Sequence, residues 1–125
     1  MTSSTPVIHV VDDDASFRTA IGRLLQASGY QVALYESAQL LLKKLPSIEP
    51  GCILLDVLMP DANGFDVLNR IRHHPALQTI PVLMLTALAE RKDVTRGLAL
   101  GADGYITKPV LPSALLKAVE AAIAG

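Results

Sequence analysis

Short unbroken apolar runs alternate along the chain with longer segments whose apolar residues recur every three or four positions. The runs are Val7–Val11, Val32–Tyr35, Cys52–Leu55, Val82–Leu85 and a weaker Gly104–Ile106. Each is about strand length. The second, third and fourth have little polar alternation, which suits parallel strands covered on both faces. The segments between them predict helices. In the first, Phe17, Ile21, Leu24, Leu25 and Ser28 share one side, and Gly29 follows as a stop signal. In the second, Ser37 caps Leu40–Leu45 and Pro46 ends the helix. The third opens near Asn63-Gly64, stacks Phe65, Leu68 and Ile71, and ends before Pro75. The fourth, about Glu90–Leu100, has Val94 and Leu98 one turn apart and stops at Gly101. The fifth follows Pro112-Ser113 and carries Leu115, Leu116, Val119 and Ile123. Five strands alternating with five helices predict a doubly wound α/β domain with helices on both sheet faces.

Composition narrows this picture. A chain of 125 residues that is 50% hydrophobic and 18% charged is expected to fold as one domain rather than stay disordered. A formal net charge of −1 argues against a general nucleic-acid surface. Cys52 stands alone, so no internal disulfide forms, and a reducing cytoplasm is the expected location. The start, "MTSSTP", lacks the basic and apolar parts of a signal peptide, and no apolar run is long enough to span a membrane.

In a doubly wound sheet, sites form beyond the carboxyl ends of the strands. Those ends carry Asp12-Asp13-Asp14, Asp56, Thr86-Ala87 and Thr107-Lys108-Pro109. A carboxylate cluster is costly unless a cation or protons neutralise it. Oxygen-only ligands suit a hard divalent ion, magnesium above all, with manganese as a substitute. Lys108 adds a positive charge and Thr86 a hydroxyl donor. Together these groups suit in-line phosphoryl transfer, with one aspartate as nucleophile. The chain has neither a P-loop nor GxGxxG.

Four stretches, "VVDDD" at 10–14, "LLDVLMPDANG" at 54–64, "LMLTA" at 83–87 and "GADGYITKP" at 101–109, resemble the receiver domains of two-component response regulators, in that family's order and spacing. The resemblance runs from about Val7 to Ile123. It implies a flavodoxin-like sheet of order 2-1-3-4-5, like that of the chemotaxis regulators, with residues 7–125 as the receiver and 1–6 as a flexible tail. It implies Asp56 as phosphoacceptor. Asp13 and Asp56 would bind magnesium by side chain, Leu58 by its backbone carbonyl, and Asp12 largely through water. Thr86 is the switching hydroxyl, Tyr105 the aromatic switch, and Lys108 the partner of a phosphoryl oxygen. The Lys108-Pro109 bond is cis in this family. The implied donor is a histidine kinase or histidine phosphotransfer protein. The implied output is an effector or further domain reached through the face of helix 4, strand 5 and helix 5, with a phosphorylation-dependent dimer as one form. On this reading the chain is a switch with limited magnesium-dependent self-phosphorylation and self-dephosphorylation, not an enzyme in its own right. It touches neither nucleic acid nor membrane directly.

Two positions tune that expectation. Leu58 stands two residues after the acceptor and Leu88 two after the threonine. Two apolar groups offer no hydrogen bond to orient water, so the expected phosphoryl state is long-lived.

Plainer readings hold at other positions. Asp14 or Ser16 caps the first helix rather than adding a third ligand. Asn63-Gly64 is a turn, and His73-His74 a solvated helix end. His9 is a packed core residue. Arg91, Lys92 and Arg96 form the solvated face of the fourth helix. Competing functions are a haloacid-dehalogenase-type phosphatase with Asp12 as nucleophile, and a flavodoxin-like nucleotide binder. The first is weakened because no acidic pair follows Lys108, no room remains for a cap domain, and Asp56-x-x-Met59-Pro60 goes unexplained. The second is weakened by an acidic first turn where a phosphate needs glycine or hydroxyl donors.

Overall fold

The computed structural model describes residues 6–87 and 91–124. Its strands are β1 (Val7–Val11), β2 (Gln31–Tyr35), β3 (Gly51–Leu55), β4 (Val82–Thr86) and β5 (Gly104–Thr107). Its helices are α1 (Ala15–Ala27), α2 (Ala38–Lys44), α3 (Gly64–His73), α4 (Arg91–Ala99) and α5 (Pro112–Ala124). All strands are parallel, in the order β2-β1-β3-β4-β5. This is the expected doubly wound, flavodoxin-like arrangement.

Side chains alternate across a strand, so each strand feeds two cores. Val11, Ile53, Leu55, Val82 and Met84 pack beneath α2 and α3 with Leu41, Phe65, Leu68 and Ile71. Ile8, Val10, Cys52, Leu54, Leu83 and Leu85 pack beneath α1 and α5 with Ile21, Leu25, Leu115 and Val119. Burial pushes the Cys52 thiol up to about 12, which keeps it an inert packing group.

Several expectations change in detail. Strand β2 has α1 against one face and α2 against the other, but as a sheet edge it is less fully covered than the inner strands, and Leu34 is 47% exposed. Ser28 is not on the buried side of α1. It is the exposed C-cap, with its Oγ donating to the Leu24 carbonyl, and Gly29 follows at φ +96°. Helix α2 ends at Lys44, and the chain continues as a 3-10 turn, Leu45–Ser47. In α4 the inward residue is Gly97, while Leu98 is 48% exposed. A Cβ at Gly97 would lie 3.2 Å from the Tyr105 ring and 3.4 Å from Phe65, so the helix approaches the sheet through its glycine and turns Leu98 outward. The expected first residue of that helix, Glu90, lies outside the described residues, as do Leu88 and Ala89.

Arg72 stitches the edge opposite the strands' carboxyl ends. Its guanidinium donates to the Gly101 and Ile80 carbonyls and to Asp103, whose carboxylate also accepts from the Val82 amide. These bonds tie the end of α3 to the starts of β4 and β5.

His9 is 2% exposed in the middle of β1, a packed core residue as expected. Its Nε2–H donates to the Glu49 carbonyl, which leaves Nδ1 to accept from the Tyr35 hydroxyl at 2.9 Å. Burial holds its pKa below the ordinary value, against the smaller opposing pull of Glu49. The unfolded chain therefore takes up a proton at this site before the folded one does, and stability falls as pH drops below the unfolded value of about 6.5. Urea unfolding at about pH 7.5 and about pH 5.5 is expected to show this loss in the wild type and a smaller loss in His9→Gln. An unchanged loss in the variant assigns the acid sensitivity elsewhere.

Candidate functional site at the carboxyl edge of the sheet

Register brings the site residues together. The Asp12 amide donates to the Tyr35 carbonyl and the Asp56 amide to the Val11 carbonyl, so both aspartates continue the ladder by one residue. The Lys108 amide donates to the Thr86 carbonyl at 2.8 Å, which places Lys108 beside the end of β4. Asp12, Asp56 and Thr86 are 1%, 4% and 0% exposed, whereas Asp13 is exposed at the rim. The Lys108-Pro109 peptide is cis.

Lys108 Nζ lies 2.9 Å from Asp12 Oδ2 and 3.4 Å from Asp56 Oδ2. Carboxylate oxygens of Asp12, Asp13 and Asp56 lie within 4.8 Å of one another. Among the described residues, one ammonium reaches two of these three carboxylates, so the cluster carries more negative than positive charge. The titration of the groups reflects this. Burial raises the pKa of Asp56, and the neighbouring Asp12 charge adds to the rise; the Leu58 amide and Lys108 oppose it without cancelling it. For Lys108, burial works against the charged form, but the hydrogen bond to Asp12 and the fields of Asp56 and Asp12 outweigh it and raise its pKa. A close ion pair by itself would lower Asp56. Burial decides the direction instead, with the Asp12 charge adding to it.

The flanking loops are fixed from several sides. Asp14 is exposed and caps α1, its Oδ1 accepting from the Phe17 amide at 3.2 Å, which is the expected capping role. Arg18 Nη1 donates to the Asp12 carbonyl at 2.7 Å. After Asp56, the Leu58 amide donates back to Asp56 Oδ1 at 3.1 Å, and the Leu58 side chain is 52% exposed. Asn63 caps α3, and the Gly64 amide donates to the Val57 carbonyl. A Cβ on Gly64 would come within 2.4 Å of the Asp56 carbonyl oxygen, so glycine is what lets α3 start against the loop after β3. Asp61 reaches across to the first amides of α2, accepting from Gln39 at 3.1 Å. Leu88, paired with Leu58 in the expectation about water, lies outside the described residues.

Tyr105 is half-buried against Gly97, with its hydroxyl shielded from solvent and without a hydrogen-bond partner. Arg91, Lys92 and Arg96 are exposed, as expected. Arg96 also lies over the Phe65 ring, 4.5 Å from its centroid, which no spacing rule on the helix foretold. Arg18, Asp61 and Phe17 likewise join the surroundings of the site without a motif that marks them. The acidic cluster beside "VDDDASFR" and the turn residues of "MPDANG" were the available signals.

Fold and site together define a doubly wound α/β domain with an acidic, oxygen-rich pocket at the strands' carboxyl edge. A family model for the response regulator receiver domain matches residues 8–120, and the chain belongs to that family. The chain is 36% identical over 121 residues to the transcriptional regulatory protein GltR of Pseudomonas aeruginosa, covering 97% of this chain and 50% of GltR. It is 40% identical over 114 residues to the alkaline phosphatase synthesis transcriptional regulatory protein PhoP of Bacillus subtilis, covering 91% and 47%. The chain thus spans about half the length of the curated relatives it matches. A putative response regulator from Chloroflexus aurantiacus superposes with a TM-score of 0.92 at 30% identity, covering 98% of this chain and 100% of that one. Chemotaxis response regulator CheY4 of Vibrio cholerae superposes at 0.88 and 30%, covering 95% and 99%.

Receiver domains are phosphorylation-controlled signalling switches that take phosphoryl groups from histidine kinases, and they bind magnesium in an acidic pocket. The phosphatase alternative with Asp12 as nucleophile is not supported: the match is to receivers, and Asp12 is buried and held by Lys108. The three carboxylates fit a hard cation in donor type and spacing. No helix among the described residues is long and apolar enough to cross a membrane.

Asp13 and Asp14 are neighbours with different surroundings, so their variants should separate. Asp13→Asn is expected to weaken magnesium binding about tenfold or more, and Asp14→Asn to leave it within about twofold. Titration calorimetry with magnesium distinguishes them, and equal losses contradict the division.

Proposed function

We propose that Asp56 is the phosphoacceptor of this receiver, and that the cluster of Asp12, Asp13, Asp56 and Lys108 carries the reaction. The observation behind this is the placement of one buried carboxylate between an ammonium and two further carboxylates. An Asp56 carboxylate oxygen attacks the phosphorus of a phosphohistidine on a histidine kinase or phosphotransfer protein. The P–N bond breaks as the O–P bond forms, and the released imidazole takes up a proton. Asp13 and Asp56 by side chain, Leu58 by its carbonyl and Asp12 through water would hold magnesium, or manganese in its place. Bound there, the cation supplies charge neutralisation for the phosphoryl oxygens. Lys108, already beside the cluster, donates to an arriving phosphoryl oxygen, and Thr86 donates its hydroxyl to another. The same groups support limited self-phosphorylation and self-dephosphorylation.

The readout follows from differential contacts. New bonds at the phosphoryl group bias a two-state equilibrium through Thr86 and Tyr105. Tyr105 already lies against Gly97 with an unpartnered hydroxyl, so its inward position gives up one hydrogen bond. The outward signal passes through the face of α4, β5 and α5 to an effector, a further domain or a second copy. Residues 7–125 form the receiver, which works in the cytoplasm.

Beryllofluoride trapping followed by residue mapping tests the acceptor. Modification is expected at Asp56, and Asp56→Asn is expected to abolish labelling by phosphoramidate; labelling at Asp12 or persistent labelling of the variant overturns the reading. The decay of the same phosphoprotein tests the role of the apolar pair. Leu58→Asn/Leu88→Glu is expected to shorten its lifetime about tenfold, and no acceleration contradicts that role.

A further inference from the structure

Lys108 has a third neighbour besides its two carboxylates. Its Nζ lies 4.2 Å from the centroid of the Phe17 ring, in cation–π range. Phe17 stands in the first turn of α1, half-buried, three residues after Asp14, the last aspartate of the acidic triplet and the cap of the helix. It lines an apolar groove with Ile21, Leu24, Pro109 and Val110, and Lys108 is the charged side chain in that wall. The ammonium is thus held from two sides, by Asp12 and Asp56 on one and by an aromatic face on the other.

The two sides do different things. A carboxylate holds an ammonium by taking its N–H bonds and much of its charge. A ring face attracts the charge through its quadrupole and leaves the N–H donors available. An ammonium held by carboxylates alone settles among them, in the space a divalent cation needs. An ammonium drawn also toward Phe17 stays at the rim of the cluster. When a cation enters among Asp12, Asp13 and Asp56, the ammonium meets a like charge, and the ring offsets part of that repulsion.

The geometry points to Phe17 as a positioning residue for Lys108, holding the ammonium beside the carboxylate cluster where a phosphoryl oxygen arrives while the cation's place stays clear. The inference rests on the proposed role of this site in phosphoryl transfer. An aliphatic side chain of similar volume fills the same space but exerts no such attraction, which makes the role separable from packing. At a half-buried position the contact is worth about two- to fivefold in affinity.

The test is a double-mutant cycle on beryllofluoride affinity in saturating magnesium, measured with the intact chain. In the wild-type background, Phe17→Leu is expected to weaken binding about two- to fivefold, and Phe17→Tyr to stay near wild type. In the Lys108→Met background, Phe17→Leu is expected to have no further effect. If Lys108→Met binds the analogue too weakly to titrate, the ratio of phosphoramidate labelling rates with and without Phe17→Leu takes the place of the affinity ratio. Equal losses in both backgrounds reduce Phe17 to a packing residue and overturn the inference, as does no loss in the first. A wild-type protein that neither binds beryllofluoride nor accepts phosphate from phosphoramidate removes the proposed phosphoacceptor role of this site, and this inference with it.

Discussion

One ammonium shared among more carboxylates than it can neutralise is the constraint on which this molecule turns. Lys108 reaches Asp12 and Asp56 together, and Asp13 stands within the same small space. Burial makes the imbalance costly, because water cannot screen Asp12 or Asp56 at 1% and 4% exposure. The raised pKa of Asp56 expresses that cost. The imbalance gives a reason for a hard cation to enter, and it keeps the Asp56 carboxylate from being sealed into a fully satisfied ion pair.

The sheet exists in the form it does to hold those charges in register. Side-by-side parallel strands bring Asp12, Asp56 and Thr86 to one edge, each a single step past or at the end of a buried run. Two cores clamp the strands from both faces. The loops at the acidic edge are then pinned locally: Arg18 on the Asp12 carbonyl, Asp61 on α2, and Gly64 close against the Asp56 backbone. At the opposite edge Arg72 fastens the ends of the elements together. Rigidity is distributed so that the charged groups sit on a firm base, while the face of α4 meets β5 through a glycine and a hydroxyl that lacks a partner.

Much of this was legible in the sequence. Unbroken apolar runs mark the strands, and their ends carry Asp12, Asp13, Asp56, Thr86 and Lys108. Capping chemistry placed Asp14 correctly, because an aspartate before a helix satisfies free amides whatever its neighbours do. Other features depend on three-dimensional approach and leave little trace in one dimension. An edge strand and a central strand read alike when both are apolar, which is why the exposure of Leu34 was missed. Helical spacing paired Val94 with Leu98, but close packing at Gly97 rotated the helix differently. Phe17 read as an ordinary core residue, since its contact with Lys108 spans most of the chain and follows only from the fold.

The central claim is that uncompensated negative charge at this edge opposes folding until a cation relieves it. Urea unfolding of the wild type and Asp56→Asn, each with EDTA and with saturating magnesium, tests this directly. Asp56→Asn is expected to be the more stable protein in EDTA, magnesium to stabilise the wild type by about 2–3 kcal/mol at a hundredfold excess over its Kd, and the variant to gain much less. Equal stabilities in EDTA together with equal gains from magnesium would contradict it.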